Sequence, residues 1–254
     1  MSSPISISVQ NLDKTFGQQS NGLVKALSGV TMTFVASNHT DSMHGIIGPE
    51  GAGKTTLLRT ILGLLKPSNP GSAKINYFRE GTPVDFEEIR PLIAYMPQQQ
   101  SLYPDLSISE HLDFFRILYG ISNRDYISKR KELLSITRLT DFVDRPAGKL
   151  SGGMYKKLGL MCALLRSPQV VLLDEPTNGV DPISRREFWE LLYRLADQNI
   201  LIIVTTAYMD EAERCSQVHL IEQGKVVAEG KPRHLLELEK VRSFDELFLK
   251  RASS

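Results

Sequence analysis

The sequence predicts an α/β protein with a mostly parallel sheet and an inserted helical subdomain, and three observations predict it. Short apolar runs bounded by turn residues, at 44–48, 170–174 and 200–206, read as buried strands. Helical patterns alternate with them, the order that builds parallel sheets through crossover connections. Residues 99–150 break the alternation, carry no strong strand signal, and read as two or three helices joined by polar turns.

Each element has a local justification. After the strand at 44–48, Leu57, Leu58, Ile61, Leu62 and Leu65 recur at helical spacing and mark one apolar face. Ser107-Ile108-Ser109-Glu110 fits a capping box, in which hydroxyl and carboxylate each satisfy a free end donor. Leu112, Phe115 and Tyr119 continue that helix, and a second is expected over 125–139. Ser151 is a good N-cap for an apolar helix running to about 166. Asp181 followed by Pro182 opens another, since proline suits the first helical position. Runs at 218–221 and 225–228 flank Gln223-Gly224, a hairpin signal. Apolar residues every few positions over 244–249 predict a final helix, and only the last few residues look loose.

Composition limits the function classes. The chain has 254 residues, enough for a large core. Its 30 Lys and Arg against 29 Asp and Glu give a net charge of +1, which excludes a simple polybasic nucleic-acid binder and a long acidic tail. Cys162 and Cys215 lack metal-ligand spacing and read as reduced thiols packed as small hydrophobes. The start, Met1-Ser2-Ser3-Pro4, lacks the parts of a signal peptide. The longest clean apolar run, 200–204, is far short of the roughly 20 residues of a membrane span. A cytoplasmic location is expected, with any membrane crossing left to another chain or region.

The first chemical motif is Gly48-Pro49-Glu50-Gly51-Ala52-Gly53-Lys54-Thr55-Thr56, which fits G-x-x-x-x-G-K-[ST]. Its three glycines let the backbone bend tightly and converge N–H groups on one anion. The positive end of the following helix points at the same place. Lys54 adds a point charge for the β and γ phosphates, and the Thr55 hydroxyl suits Mg²⁺. Chance yields the pattern in roughly 1% of chains of this length, and the flanking strand and helix leave little room for a plain glycine turn.

The second is the apolar strand 170–173 ending in Asp174-Glu175-Pro176. Acids ending a buried strand are costly unless they bind something. Asp174 is placed to hold Mg²⁺ beside the glycine loop. Glu175, on the alternate side of the strand, is placed to polarise an attacking water. The competing reading is a pair of acids capping a turn before Pro176. The third is Leu150-Ser151-Gly152-Gly153-Met154, a second helix start with exposed N–H groups. Alone it reads as a plain cap, but it stands only 23 residues before Asp174.

LSGGM, GPEGAGKTT and VVLLDEP, as they occur here, resemble the nucleotide-binding domain of ABC transporters over nearly the whole chain. The resemblance implies a P-loop NTPase core spanning 1–98 and 151–254, an antiparallel β subdomain, and a helical subdomain over 99–150 whose last helix follows LSGGM. It implies ATP and Mg²⁺, with Asp174, Thr55 and Gln98 at the metal and Glu175 and Gln98 catalytic. It implies a second cassette, paired head to tail, so that Ser151, Gly152 and Gly153 of one chain face the phosphate loop of the other. Phe16 falls where the family stacks an aromatic on adenine, a core position being the competing reading. Gln98 falls at the Q-loop glutamine, although Gln99 and Gln100 blur the register. Asp181 falls in the D-loop and is at the same time a candidate helix cap.

One position departs from the family. After the strand 200–206, TTHYMDEAE is the usual form and this chain reads Thr205-Thr206-Ala207-Tyr208-Met209. Alanine offers no donor to the γ-phosphate, and losing a comparable donor costs roughly 10²–10³ in rate. ATP binding with slow hydrolysis is therefore expected. DPISRREFW, TTAYMDEAERC and the C-terminal SFDELFL resemble the first cassette of tandem type-2 drug exporters. That implies a transmembrane permease partner at the inner face of the cell membrane, received by residues 98–115 with Leu102, Tyr103 and Leu106 as candidate contacts, and no nucleic-acid partner. A regulatory cassette with little turnover and a non-transport soluble ABC ATPase are the competing classes.

Overall fold

Two sheets share the helices. The computed structural model describes residues 4–17, 22–36, 42–99 and 102–252. The chain opens with two twelve-residue strands, β1 (Ile5–Phe16) and β2 (Val24–Val35), then β3 (Met43–Ile47) and helix α1 (Lys54–Ile61). β4 (Lys74–Arg79), β5 (Thr82–Val84), the short α2 (Phe86–Ile89) and β6 (Ile93–Met96) follow. The helical part is α3 (Ile108–Leu118), α4 (Asn123–Thr137) and α5 (Gly152–Leu164). The chain returns through β7 (Val170–Asp174), α6 (Pro182–Ala196), β8 (Leu201–Thr206), β9 (Gln217–Glu222) and β10 (Lys225–Gly230). It closes with α7 (Pro232–Glu239) and α8 (Phe244–Ala252).

The larger sheet has the order β10-β9-β3-β8-β7-β6, parallel except for β10. β3, β7 and β8 are buried throughout, which is why they read as unbroken apolar runs rather than alternating ones. The smaller sheet, β2-β1-β4-β5, is antiparallel. It buries Ile5, Ile7 and Val9 from β1 against Met32 and Phe34 of β2 and the α1 residues Leu57, Leu58 and Ile61. The other core, on the far face of the larger sheet, gathers α3–α8 around Trp189, Phe188 and Phe244. The α/β class, the antiparallel sheet and the helical subdomain thus agree with the sequence reading.

Local chemistry sets the boundaries. The capping box at α3 is complete: Glu110 N donates to Ser107 Oγ (3.2 Å) and Ser107 N to Glu110 Oε2 (2.7 Å). Ser122 caps α4, accepting from Asp125 N at 3.2 Å, so the helix starts and ends two residues earlier than the expected 125–139. Gln223 (φ 47°) and Gly224 (φ 76°) make the two-residue turn of the β9–β10 hairpin. α1 stops at Ile61, because Gly63 turns left-handed at φ 68°, so Leu62 and Leu65 lie beyond the helix and are only partly buried. A file of side chains joins the edges of the two sheets. Glu229 Oε2 lies 3.2 Å from His219 Nδ1, His219 Nε2 lies 3.3 Å from His44 Nδ1, and His44 Nε2 meets the Val35 carbonyl at 3.0 Å.

Candidate functional site

β3 delivers the chain into a bend that ends at α1. Gly48 N donates to Thr206 O (3.3 Å), fastening the bend to the end of β8. Two of its glycines are required by space. A Cβ at Gly48 would fall 2.1 Å from the Ile221 carbonyl oxygen, and one at Gly53, where φ is +107°, 2.4 Å from that of Ala26. The bend walls a cavity of about 330 Å³ lined by Ala26, Glu50, Gly51, Ala52, Gly53, Lys54, Thr55, Thr56, Gln98 and Glu175. Gly48 and Pro49 contribute their carbonyls, which accept from Lys54 Nζ at 2.7 and 2.9 Å.

The two acids at the end of β7 are treated differently by their surroundings. Asp174 is fully buried and accepts from three hydroxyls: Thr55 (2.9 Å) and Thr205 (2.8 Å) on Oδ1, and Tyr95 (3.2 Å) on Oδ2. Glu175 faces the cavity. Its Oε1 pairs with Lys54 Nζ at 3.1 Å, and its Oε2 accepts from Gln98 Nε2 (2.8 Å) and Asn178 Nδ2 (3.3 Å). Strand alternation is only part of why the two diverge. Glu175 lies past the last residue of β7 at φ 45°, and its N–H is held by Thr205 Oγ1 at 2.9 Å, so a left-handed turn swings it toward the loop.

Hard oxygen donors, the Thr55 hydroxyl and the buried Asp174 carboxylate 2.9 Å apart beside the glycine bend, are a donor set that fits Mg²⁺. Such a site draws its remaining ligands from substrate phosphates and water.

Not every expected residue joins this cavity. Phe16 is 40% exposed, so it is not a core residue, and Lys14 Nζ lies 5.1 Å from its ring centre. Ser151, Gly152 and Gly153 line no part of the cavity and form a second cluster. Ser151 caps α5 by accepting from Met154 N (3.3 Å), and Gly152 and Gly153 abut Gly179 and Ser184. Asp181 caps α6, its Oδ1 accepting from Ile183 N (3.1 Å) and Ser184 N (3.0 Å); the Ser184 hydroxyl first, and then these amides, hold its carboxyl below the usual carboxylate range. Gln98 rather than Gln99 reaches Glu175, and Gln100 lies outside the described residues. Ala207 follows β8 directly and is half-buried. Sequence reasoning missed Tyr95, Thr205 and Asn178. Only Thr205, a hydroxyl near the end of an apolar strand, carried a local signal.

Comparison with known proteins matches these features. The family model described as ABC transporter matches residues 31–178. The chain is 42% identical over 229 residues to the probable multidrug ABC transporter ATP-binding protein YbhF of Escherichia coli (strain K12); the match covers 88% of this chain and 39% of that protein. It is 36% identical over 234 residues to the Nod factor export ATP-binding protein I of Burkholderia lata, covering 92% and 73% respectively. The chain thus spans well under half the length of YbhF. A solved ATP-binding subunit of an ABC transporter superposes with a TM-score of 0.76 at 26% identity, over 96% of this chain and 98% of that one. The cbiO1 protein of Clostridium perfringens, part of the cbiONQ ABC transporter complex, gives 0.76 at 26% identity over 91% and 90%. A glycine bend with its lysine, a buried strand-end acid held to the loop threonine, and these relatives lead to one conclusion: the chain belongs to the ABC transporter family, as a nucleotide-binding ATPase domain.

Proposed function

We propose that this chain binds ATP and Mg²⁺ at the glycine bend and hydrolyses ATP slowly, within a head-to-tail pair of cassettes that drives a separate permease. The observation that carries the reading is the meeting of Lys54, Thr55, Gln98 and Glu175 around one cavity, with the buried Asp174 carboxylate held behind it by Thr55 at 2.9 Å. The backbone from Gly48 to Thr56 cradles the phosphates. Lys54 exchanges the Glu175 carboxylate for the β and γ oxygens. Thr55, Asp174 and Gln98 would hold Mg²⁺, which when bound would supply charge neutralisation on the phosphates. Glu175, oriented by Gln98 and Asn178, accepts a proton from the attacking water. Phe16 stacks on the adenine.

Pairing with a second cassette explains the other cluster. Ser151, Gly152 and Gly153 lie away from this chain's own cavity at the start of α5, and Ser151 and Gly152 are exposed, as a surface meant for a partner's phosphates requires. Asp181 lies beside them and completes that surface. The core comprises 1–98 and 151–254 and the helical subdomain 99–150. Among the described residues no helix is long and apolar enough to cross a membrane. We place the chain on the cytoplasmic face through its permease, received where Tyr103 (52% exposed) and Ile117 (70%) crop out of the helical subdomain. Leu102 and Leu106 are half-buried and contribute less to that face.

Identity to YbhF, and the resemblance of DPISRREFW and TTAYMDEAERC to first cassettes of type-2 exporters, support an export role with drug-like cargo. Ala207 further favours an asymmetric pair, in which this site holds ATP while a partner's site turns over. The test is ATP turnover by the purified chain and by Ala207→His. Turnover raised about 10²-fold by the histidine, with ATP affinity unchanged, is expected. Ordinary turnover that Ala207→His does not raise refutes it, and an absence of ATP binding by calorimetry refutes the whole reading.

A further inference from the structure

Two consecutive side chains near the start of α5 reach the chain that follows β6, one at Gln98 in the Q-loop and one at Leu102. Lys156 Nζ donates to the Gln98 carbonyl oxygen at 2.9 Å. One residue earlier on the same helix, the Tyr155 hydroxyl accepts from Leu102 N at 3.2 Å. The Tyr155 bond is partly buried, so solvent competes only partly for it, whereas the Lys156 bond is exposed. Gln98 is the residue whose amide holds Glu175 Oε2 at 2.8 Å. The N-terminus of α5 also carries Ser151 to Gly153, about 7 Å away along the axis at 1.5 Å per residue. A helix moves as a rigid rod over so short a distance, so a shift at Ser151 displaces Lys156 and Tyr155 with it.

We infer that Tyr155 and Lys156 are positioning residues forming a strap between α5 and the Q-loop, through which the ATP clasped by this chain's Ser151–Gly153 cluster on its partner sets the grip of Gln98 on this chain's own Glu175. The inference rests on the head-to-tail pairing proposed above. It assigns the two residues a role distinct from binding: neither lines the cavity, and neither belongs to the glycine cluster. The geometry gives direction. Motion of α5 away from the larger sheet pulls the Gln98 carbonyl and the Leu102 amide together, and Gln98 then leaves Glu175. Nucleotide held by the partner fixes α5 and keeps Gln98 in place. Each site is thereby informed of the occupancy of the other through one helix.

Amide hydrogen exchange tests the strap in two steps. In the chain alone, Tyr155→Phe removes the acceptor of the Leu102 amide. Exchange there is expected to quicken about fivefold, the factor set by one ordinary hydrogen bond, while amides of β7 and β8 keep their rates. An unchanged Leu102 rate overturns the strap. In the second step, an isotope-labelled Lys54→Ala chain is mixed with unlabelled wild-type chain, so that ATP sits only on the wild-type loop and is clasped by the labelled chain's glycine cluster. ATP is expected to slow Leu102 exchange in the labelled chain at least threefold. Lys156→Met, and separately Tyr155→Phe, introduced into the labelled chain should abolish that response without changing the amount of mixed dimer. A response that survives both substitutions overturns the strap while leaving the pairing intact. A mixture that ATP fails to join overturns the pairing and the strap's role together.

Discussion

Replacing Gly153 by alanine probes the packing of the second glycine cluster with a sign opposite to helix propensity. Gly153 is the second residue of α5, where alanine gains at most the roughly 1 kcal/mol over glycine of a helix interior. The added methyl, however, would stand 2.4 Å from Ser184 Cβ and 2.5 Å from Ser184 Oγ on α6. Rotating the Ser184 hydroxyl away leaves the Cβ contact, so the helices must part, at a cost of about 2–3 kcal/mol for overpacking. The net expectation for Gly153→Ala is a loss of about 1–2 kcal/mol. Ser184→Gly alone loses about 0.5–1 kcal/mol of propensity and hydrogen bonding. The double variant recovers to near wild type, because the clash is gone and the alanine gain remains. The coupling energy of this cycle is therefore about 2 kcal/mol, well beyond the few tenths seen for independent sites. Urea unfolding of the four proteins measures it, with the slope checked for constancy. A Gly153→Ala protein as stable as wild type, or a coupling under about 0.5 kcal/mol, refutes the close approach of α5 and α6.

Three further outcomes are expected. Ser107→Ala breaks both bonds of the α3 capping box and costs about 1 kcal/mol in urea unfolding; no loss would show that the cap does not stabilise the helix. Burial pushes the Cys162 and Cys215 thiols far above the ordinary cysteine range, so a thiol reagent at pH 8 labels neither in the folded protein and both in guanidinium. Rapid labelling of the native chain contradicts that burial. Lys157 Nζ at 2.6 Å holds the Glu187 carboxyl below its usual range. A depressed folded value means that the pair's stabilisation is complete above the unfolded glutamate value of about 4.3 and is lost as pH falls through the folded one. The Tm gap between wild type and Glu187→Gln should accordingly begin to narrow as pH falls below about 4.3, and a gap constant from pH 7 to 3 contradicts the assignment.

What the sequence showed and what it hid divide by range of interaction. The glycine bend, the Ser107 and Ser151 caps, Asp181-Pro182 and the Gln223-Gly224 turn are each decided within a few residues, and each appears as read. The long strands β1 and β2 went unread although Ile5, Ile7 and Val9 alternate, because their register shifts near Leu12 and Lys14 break the period. The surroundings of Asp174 were illegible for a different reason. Tyr95 and Thr205 reach it from strands β6 and β8, 79 and 31 residues away along the chain, and only the order of the larger sheet brings them together. The direction of Glu175 was read from strand alternation, whereas a positive φ one residue past the strand turns it toward the loop.

The division of labour in this site explains how one side chain can separate binding from turnover. The phosphate grip is mostly backbone: N–H groups of the bend, held in shape because Gly48 and Gly53 allow the Ile221 and Ala26 carbonyls to press close. No side chain at 207 takes part in that geometry, and the bond from Gly48 N to Thr206 O fastens β8 to the bend whatever residue follows. The reacting end is built otherwise. In the proposed function it relies on individual side chains, Gln98, Glu175 and a donor beyond β8, each aimed at charge that develops only in the transition state. On that proposal, alanine at 207 withholds one such donor and leaves the grip intact. Its effect should therefore fall on kcat, with the affinity for ATP retained. A cassette altered in this way can still close around ATP with a partner, and closure, not cleavage, is what the α5 strap would report across the pair.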